Sequence, residues 1–573
     1  MRDGCESIQI NGFGFTAFGA EAGNRSNDGI DEVDISGNQQ GHAVDRCEPV
    51  ARKIPSMNID STKFLRRAVP ILVGLTLLGR AIGMGLVPLM DTTEARYGEI
   101  ARKMAELNDW VTPWFDYGVP YWGKPPLAFW LTATSFKVFG LNEFAARLLH
   151  WIASLIIIAL VWALSGRRDR DAAMPTVAVI SASALFFVSA GAVMTDIELT
   201  VGTTLAMTGF WLALDKPKAG STGSGWLAAL LFFGGLATGL LAKGPVALVL
   251  AGTPLFLWTA YNRRWLDVWR RLPWIRGVLG TLIITLPWYW IAEQRTPGFL
   301  AYFLIGEHWH RFVTPDWQGD RYGHAHTYPI GTIWAFAFIG TLPWSLLLPI
   351  AAWRWRKDQA SAVTMSAPNT PALRSDEQAW QSYLLVWAFT PLLFFTAARN
   401  ITMAYVLPGI PAAAILTGSW LAQQRRQGRA VNQLLSVGML ITLLLVCRLA
   451  IYNGEPFHME RRSLKALVTA YDQARATQSN VPLVFVGLRP FSAQFYSHGH
   501  AIQADSIDQF WRRIGTDPAY VAIPSRYSDA LIASAAARET RTESNKTAAA
   551  KPSYIVNRVY RHGNYDLFYV AAH

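Results

Sequence analysis

The stretch WLAALLFFGGLATGLLAKGPVALVLAGTPLFLWTAY, residues 226–261, holds two long apolar runs that meet at Lys243-Gly244-Pro245. A helix needs about 20 mostly apolar residues to cross the hydrocarbon core of a bilayer. Each run approaches that length, and Lys243 is the only Asp, Glu, Lys or Arg in the stretch. The pattern therefore predicts two membrane-spanning helices joined by a very short link.

The composition of the whole chain is that of a membrane protein. Of its 573 residues, 51% are hydrophobic and only 16% are charged, whereas soluble proteins usually carry about 25% charged residues. The 24 Trp agree with this, because Trp prefers membrane–water interfaces. The net charge of +12 does not indicate a nucleic-acid partner, since the Lys and Arg residues form short clusters between apolar runs. Cys5, Cys47 and Cys447 form no disulfide framework.

Apolar runs and basic clusters together predict a polytopic bundle of about 11–13 transmembrane helices. Basic residues follow every second run, and the positive-inside rule places those loops in the cytoplasm. The other loops then face outward. The eleven candidate spans are approximately 69–89, 144–164, 175–194, 199–214, 226–242, 246–261, 277–291, 330–352, 383–397, 405–421 and 434–452.

The two ends of the chain differ from this bundle. Residues 1–60 are rich in Gly, Asn, Asp and Ser and are predicted to be disordered. Residues 61–452 form the predicted transmembrane domain. Residues 453–573 combine a helical stretch, 463–476, with strand-like runs at 481–487 and 520–523. This tail is predicted to be a small α/β domain on the outer face.

Several polar features fall on the predicted outer face. The long first loop, residues 91–143, contains an amphipathic helix pattern. A second helix is predicted to start with the Pro pair after Lys124, to run to about Phe139 and to lie along the interface. A solvated connector is the structural alternative for this loop. Asp196 and Lys243 occupy short links at membrane edges, where ionisable groups tend to face a cavity or a partner. Helix capping by Asp196 and snorkelling of Lys243 to headgroups are the structural alternatives.

A fourth polar feature is the outer loop 293–329, which contains four His residues and several acids. Either a divalent metal site or a hydrogen-bonded polar loop is compatible with this composition, because the spacing matches no strong metal signature. No metal ligand is therefore assigned, and no other cofactor is indicated. The His residues are His308, His310, His324 and His326.

The charges of these loops suggest phosphate chemistry. Phosphate is bound by Arg forks and Lys point charges, and a departing phosphate needs its developing charge stabilised. A carboxylate can serve as the base for an attacking hydroxyl, or it can orient a substrate or a cation. The cations expected on one face are Arg96, Lys124, Lys243, Arg311 and Arg399, and the acids are Asp91, Glu94 and Asp196.

The order of these motifs resembles the aminoarabinose transferase family, part of the superfamily that includes protein O-mannosyltransferases. The resemblance covers about residues 65–420, and its most specific part is LMDTTEARYGEIARKM, residues 89–104. The motifs that follow in the same order are Gly123-Lys-Pro-Pro-Leu, Thr195-Asp196, Lys243-Gly-Pro, Glu307-His-Trp and Tyr405-Val-Leu-Pro.

This resemblance implies a glycosyltransferase that moves 4-amino-4-deoxy-L-arabinose or a related sugar from undecaprenyl phosphate to lipid A or another periplasmic acceptor. It implies a multi-pass protein of a bacterial inner membrane with its active site on the periplasmic face. It implies that Lys124 binds the carrier phosphate, together with Arg96, Lys243 and Arg311. It also implies that Tyr97 and Tyr405 line the cavity, and that Asp91, Glu94 and Asp196 are the candidate catalytic acids.

The chain departs from the family pattern at two positions of the first loop. Thr93-Glu94 stands where the family often has Asp-Glu, and Gly123 stands where an acid often precedes the cavity lysine. The sugar, the acceptor and the metal site are therefore open at this point. A protein acceptor, as for the mannosyltransferases, is one alternative. A transporter or flippase of lipid-linked sugars is another, although no internal repeat typical of transporters is present.

Overall fold

The structure is a computed structural model of the chain. It describes residues 61–215, 224–314, 317–323, 327–351, 353, 376–451, 462–477, 480–543 and 554–573. The segment predicted to be disordered, residues 1–60, lies outside these ranges.

The described part of the chain is mainly helical, as the apolar runs predict. The helical segments are Ser61–Leu86, Thr93–Leu107, Leu127–Phe139, Glu143–Arg168, Arg170–Ala182, Ala184–Ser189, Thr195–Leu214, Ser224–Lys243, Val246–Asn262, Trp265–Arg271, Trp274–Arg295, Phe299–Ala301, Tyr302–His310, Arg311–Val313, Thr332–Gly340, Trp344–Leu347, Asp376–Thr396, Met403–Gly409, Ile410–Arg426, Val431–Ile451, Lys465–Ala474, Arg475–Thr477, Phe491–Tyr496, Ile507–Ile514, Ser525–Tyr527 and Ser528–Glu543.

Fewer helices than predicted pass a test for membrane spans based on length and composition. Among the described residues there are six, or seven if one bent pair counts as a single span. The predicted run 175–194 is divided at Ser183, and the predicted run 330–352 bends by 100° near Leu342-Pro343. Val246–Asn262 has only 17 residues. Apolar runs thus overestimate the number of long straight spans, because breaks and bends are set by packing against neighbouring helices.

The helix Thr195–Leu214 lies at the centre of the bundle, because 83% of its most apolar 18-residue stretch is buried. It packs closely against Ser224–Lys243 through glycines. A Cβ atom on Gly202 would lie 2.6 Å from the backbone nitrogen of Gly239, so the two backbones approach closely only without side chains there. The beginning of Thr195–Leu214 therefore meets the end of Ser224–Lys243, and this contact brings Asp196 and Lys243 together.

The link after Lys243 is sharp because Gly244 adopts a φ of +78°, which favours glycine. A Cβ atom on Gly244 would also lie 2.5 Å from the ring of Phe303. The chain around Phe303, which leads to Glu307, is thereby packed against the end of the Lys243 helix. These contacts bring two loops that are distant in sequence to the same place.

The first loop contains the two helices predicted there, Thr93–Leu107 and Leu127–Phe139. A short antiparallel pair separates them, formed by β1 (Trp114–Asp116) and β2 (Val119–Pro120). The helix Thr93–Leu107 is named the first-loop helix below. Most of its residues are buried, so this segment is a packed part of the protein and not a solvated connector.

The tail forms a five-stranded mixed sheet with helices, which confirms the α/β prediction. Its strands are β3 (Leu483–Val486), β4 (Ile502–Ala504), β5 (Ala519–Pro524), β6 (Tyr554–His562) and β7 (Tyr565–Ala572). The strand order is β4-β3-β5-β7-β6; β3 pairs in parallel with β4 and β5, and β7 pairs antiparallel with β5 and β6. Residues 462–573, as far as they are described, are named the tail domain below.

Candidate functional site

A cavity of about 200 Å³ lies where the outer-face motifs converge. One part of its wall is charged, and the remainder is apolar. The charged and polar lining residues are Lys124, Lys243, Glu307, His308, Arg311, Asn400 and Tyr405. The apolar lining residues are Leu199, Pro245, Val246, Val249, Leu250, Phe312, Phe394, Phe395 and Pro408.

Glu307 is the centre of the charged wall. Its carboxylate accepts a hydrogen bond from Lys124 Nζ at 2.9 Å and from Arg311 Nη1 at 3.0 Å. The hydroxyl of Tyr302 donates to the same carboxylate at 3.2 Å. Burial alone would raise the pKa of Glu307, but Lys124 and Arg311 outweigh it and lower the pKa to about 2. Glu307 is therefore ionised at neutral pH and contacts two cations, of which Arg311 also lies 3.7 Å from the Asp320 carboxylate.

A second ion pair joins the cavity residue Lys243 to Asp196, which is not among the lining residues. Lys243 Nζ donates to Asp196 Oδ1 at 2.5 Å and lies 4.3 Å from the centre of the Tyr405 ring. An ammonium over an aromatic face is attracted by the ring quadrupole. Lys243 therefore has two stabilising partners that fix its direction within the cavity. This contact follows from the glycine packing that joins the two helices.

Arg96 and Tyr97 lie beside the cavity and do not line it. Arg96 Nη1 donates to the carbonyl of Tyr322 at 2.7 Å, and its guanidinium stacks near the rings of Tyr97 and Tyr121 at 5.4 and 5.9 Å. Arg96 forms no ion pair with a carboxylate among the described residues. Tyr97 is buried, with its hydroxyl 3.5 Å from that of Tyr121. Both residues thus support the wall that carries Lys124.

The structure does not bring Asp91 and Glu94 to the cavity. The Asp91 carboxylate accepts hydrogen bonds from the backbone N–H and the hydroxyl of Ser492 in the tail domain. The Glu94 carboxylate accepts two hydrogen bonds from Arg147, at 2.7 and 2.6 Å. Asp196 is the candidate catalytic acid that contacts a cavity cation, and the catalytic roles of Asp91 and Glu94 stay predictions without a supporting contact.

The described residues contain no group of three or more His, Cys, Asp or Glu side chains arranged to hold a metal ion. His308 has its Nδ1 2.8 Å from the carbonyl of Phe303 and its Nε2 3.2 Å from that of Lys243. Burial lowers the pKa of His308. His324 and His326 lie outside the described residues.

The cavity includes polar residues that the sequence did not single out as site residues. The sequence analysis named Glu307 only as part of the motif Glu307-His-Trp. The signal that could have identified it is its position four residues before Arg311, which places both side chains on one helical face. Asn400 lines the cavity and donates to the carbonyl of Arg311 at 2.8 Å. Arg399, its neighbour, is exposed and does not line the cavity.

Comparisons with known proteins agree with this architecture. Residues 82–303 match the family PMT, dolichyl-phosphate-mannose-protein mannosyltransferase. An undecaprenyl phosphate-alpha-4-amino-4-deoxy-L-arabinose arabinosyl transferase of Pseudomonas aeruginosa is 29% identical over 65% of this chain and 66% of its own length. One from Shewanella sediminis is 30% identical over 65% of this chain and 63% of its own length. The chain thus spans slightly less than two thirds of these curated relatives.

A solved structure shares the fold over most of the chain. ArnT from Cupriavidus metallidurans bound to undecaprenyl phosphate superposes with a TM-score of 0.66 at 20% identity, covering 89% of this chain and 98% of that protein. Its apo state gives a TM-score of 0.64.

Proposed function

We propose that this chain, an aminoarabinose-transferase-like member of the PMT glycosyltransferase superfamily, is a membrane enzyme that takes its sugar from a polyprenyl phosphate. The observation that carries the proposal is the combination of Lys124 and Arg311 with an extended apolar wall in one cavity. Cations bind the phosphate of such a donor, and apolar side chains bind its isoprenoid chain. A lipid phosphate is the ligand class that requires both.

In the proposed reaction, an acceptor oxygen attacks the anomeric carbon of the sugar. The bond between that carbon and the phosphate oxygen breaks, and the phosphate leaves on its lipid with the bonding electron pair. Lys124 and Arg311 stabilise the charge that develops on the leaving phosphate. Glu307 holds both cations in place before the donor binds, which reduces the cost of arranging them. A single displacement inverts the configuration at the anomeric carbon.

The role of Asp196 depends on the acceptor. A hydroxyl acceptor loses its proton as the new bond forms, and the Asp196 carboxylate is the group proposed to accept it. A phosphate acceptor is already anionic, so Asp196 would then orient the donor sugar. In both cases Lys243, paired with Asp196 at 2.5 Å, keeps the carboxylate in a fixed direction. No step is assigned to a metal ion.

We further propose that the sugar is 4-amino-4-deoxy-L-arabinose or a related sugar, and that the acceptor is a phosphate of lipid A on the periplasmic face of a bacterial inner membrane. The names of the curated relatives support the sugar and the undecaprenyl phosphate carrier. The basic clusters after alternate apolar runs support the orientation.

The first test is the mass spectrum of lipid A from cells with and without the gene, complemented with wild-type, Lys124→Ala or Lys137→Ala protein. Lys137 is an exposed residue of the helix that follows Lys124 and serves as a matched control. We expect a sugar adduct on lipid A with wild-type and Lys137→Ala protein and none with Lys124→Ala. An unchanged spectrum with expressed wild-type protein would contradict the lipid A acceptor. Glycans on periplasmic proteins and a vesicle flipping assay would then test the alternatives.

A further inference from the structure

The tail domain forms hydrogen bonds with the residues directly before the first-loop helix. Ser492 donates to the Asp91 carboxylate through its backbone N–H, at 3.0 Å, and through its hydroxyl. The backbone N–H of Asp91 in turn donates to the carbonyl of Arg462 at 2.7 Å. Asp91 is thus bound through both its side chain and its backbone by one domain. A buried carboxylate is stabilised only by such hydrogen bonds or a counter-ion.

A second group of contacts holds the same segment. The hydroxyl of Tyr496 accepts the backbone N–H of Leu89 at 2.7 Å and donates to Glu143 at 3.0 Å. Lys465 forms an ion pair with Glu143 at 2.5 Å. Two tail-domain residues are therefore bound to Glu143, at the beginning of the membrane helix Glu143–Arg168, while one of them also binds Leu89.

A third group of contacts reaches the far end of the first loop. Arg489 forms an ion pair with Asp116 in β1 at 2.6 Å. Phe491 packs against Phe115 with ring centroids 5.4 Å apart, and Lys103 donates to Gln494 at 3.3 Å. The tail domain thus contacts the start of the first-loop helix, its buried face and the hairpin that follows.

These contacts lead to the cavity residue Lys124 and to Arg96, which supports its wall. Arg96 lies five residues after Asp91, and its guanidinium lies 5.9 Å from the ring of Phe491. Phe115 packs against Tyr322, whose hydroxyl accepts the backbone N–H of Trp122 at 2.9 Å. Trp122 is two residues before Lys124. Packed rings and hydrogen bonds therefore connect the tail domain to both cations.

We propose that the tail domain is a positioning element for the cavity: it orders residues 89–124 so that Lys124 faces the carrier phosphate and Arg96 supports the wall that carries Lys124. In this proposal Asp91 anchors the loop to the tail domain and is not a catalytic base. The consequence for carrier binding rests on the proposed function, whereas the ordering of the loop does not. Asp91 and Ser492 are positioning residues in this scheme. The first loop is long and would lose much conformational entropy on ordering without such contacts.

Hydrogen–deuterium exchange of the full-length protein in nanodiscs tests the ordering directly. The variants are Asp91→Ala, Asp91→Asn, Ser492→Ala and the control Asp472→Ala, whose partner Arg475 lies in the same tail-domain segment. We expect amide exchange in residues 93–126 to rise about tenfold or more in Asp91→Ala. The rise should be smaller in Ser492→Ala, which keeps the backbone N–H bond to Asp91. Asp91→Asn keeps a carboxamide oxygen for the Ser492 N–H and should restore most of the protection. Asp472→Ala should leave exchange in this loop unchanged.

Binding of undecaprenyl phosphate to the same variants measures the consequence for the site. We expect Asp91→Ala to weaken it about tenfold, equivalent to about 1.4 kcal/mol. Unchanged loop exchange in Asp91→Ala and Ser492→Ala would overturn the inference, and so would an increase spread evenly over the tail sheet and the membrane helices. If the wild-type protein binds no undecaprenyl phosphate, the proposed function fails, and the exchange measurement still decides whether the tail domain orders the loop.

Discussion

The cavity and the beginning of the first-loop helix use the same residue types for different purposes. In the cavity, Lys124 and Arg311 contact the carboxylate of Glu307, and Arg311 also lies 3.7 Å from Asp320. At the helix, the Glu94 carboxylate binds the guanidinium of Arg147 through both oxygens. Arg147 also donates to the carbonyls of Met84, Val87 and Pro88. The cations Lys124 and Arg311 therefore line an open cavity, whereas every nitrogen of the Arg147 guanidinium is hydrogen-bonded within the protein.

This difference distinguishes the cluster proposed to bind an anion from one that holds the fold together. Burial would raise the pKa of both carboxyls, and neighbouring cations lower the pKa of both instead. A lowered pKa alone consequently does not separate a binding site from a structural ion pair. The presence of a cavity beside the cations does separate the two clusters.

The largest expected effect concerns the cations that line the cavity. Lys124→Ala removes a cation that stabilises the leaving phosphate, so we expect sugar transfer to fall about 10³-fold. Thermal stability should change little, because Glu307 keeps Arg311 as a partner. The measurement is single-turnover transfer by purified protein, beside Lys137→Ala. Transfer within tenfold of wild type would contradict the phosphate-binding role of Lys124.

The second prediction concerns the charge of Glu307. Its lowered folded-state pKa means that its ion pairs stabilise the protein above the ordinary pKa of 4.5, and that this stability is lost as the pH falls toward about 2. Glu307→Gln should therefore lower the free energy of unfolding by about 3 kcal/mol at pH 7, and the deficit should shrink below about pH 4.5.

Denaturant unfolding between pH 3 and pH 8 measures this difference. Glu293→Gln is the matched control, because Glu293 accepts only backbone N–H groups, from Gly298 and Leu300, and should cost about 1 kcal/mol. A deficit for Glu307→Gln that stays constant down to pH 3 would show that the carboxylate charge is not its cause.

The third prediction concerns the ion pair between Glu94 and Arg147. Glu94→Gln leaves Arg147 without its carboxylate but still bonded to three backbone carbonyls, so we expect about 2 kcal/mol of destabilisation. Undecaprenyl phosphate affinity should fall much less than in Lys124→Ala. Glu106→Gln, at the exposed end of the same helix, should cost at most about 1 kcal/mol. If Glu94→Gln lost sugar transfer while its stability and its affinity for undecaprenyl phosphate stayed those of wild type, a catalytic role for Glu94 would be supported instead.

The smallest effect is expected at Tyr405. Tyr405→Phe keeps the aromatic face under Lys243 and should leave transfer within about threefold of wild type, whereas Tyr405→Ala removes the ring and should reduce it about tenfold. Steady-state kcat and KM for the two variants provide the comparison. Equal losses in both variants would show that the hydroxyl, and not the ring, is the group that matters.

Much of the fold follows from local sequence patterns. The length of the apolar runs determines a membrane bundle, and alternation and periodicity determine the first-loop helix and the tail sheet. Motif order also selected Lys124, Lys243, Arg311 and Tyr405, all of which line one cavity. The helices and strands depend on residues close to one another in the chain, which is why the sequence by itself determined them, whereas the four site residues were selected through the resemblance to a family.

Contacts between distant residues were decided only by the tertiary structure. Lys124 and Glu307 are 183 residues apart in the chain, so no local pattern indicates that Glu307 lies at the centre of the charged wall. Asp91 and Glu94 are three residues apart and yet bind different partners, Ser492 and Arg147. The direction of a side chain depends on which elements pack around it. The sequence determined which charges this protein carries, and only the packing of distant elements decided which of them face a ligand.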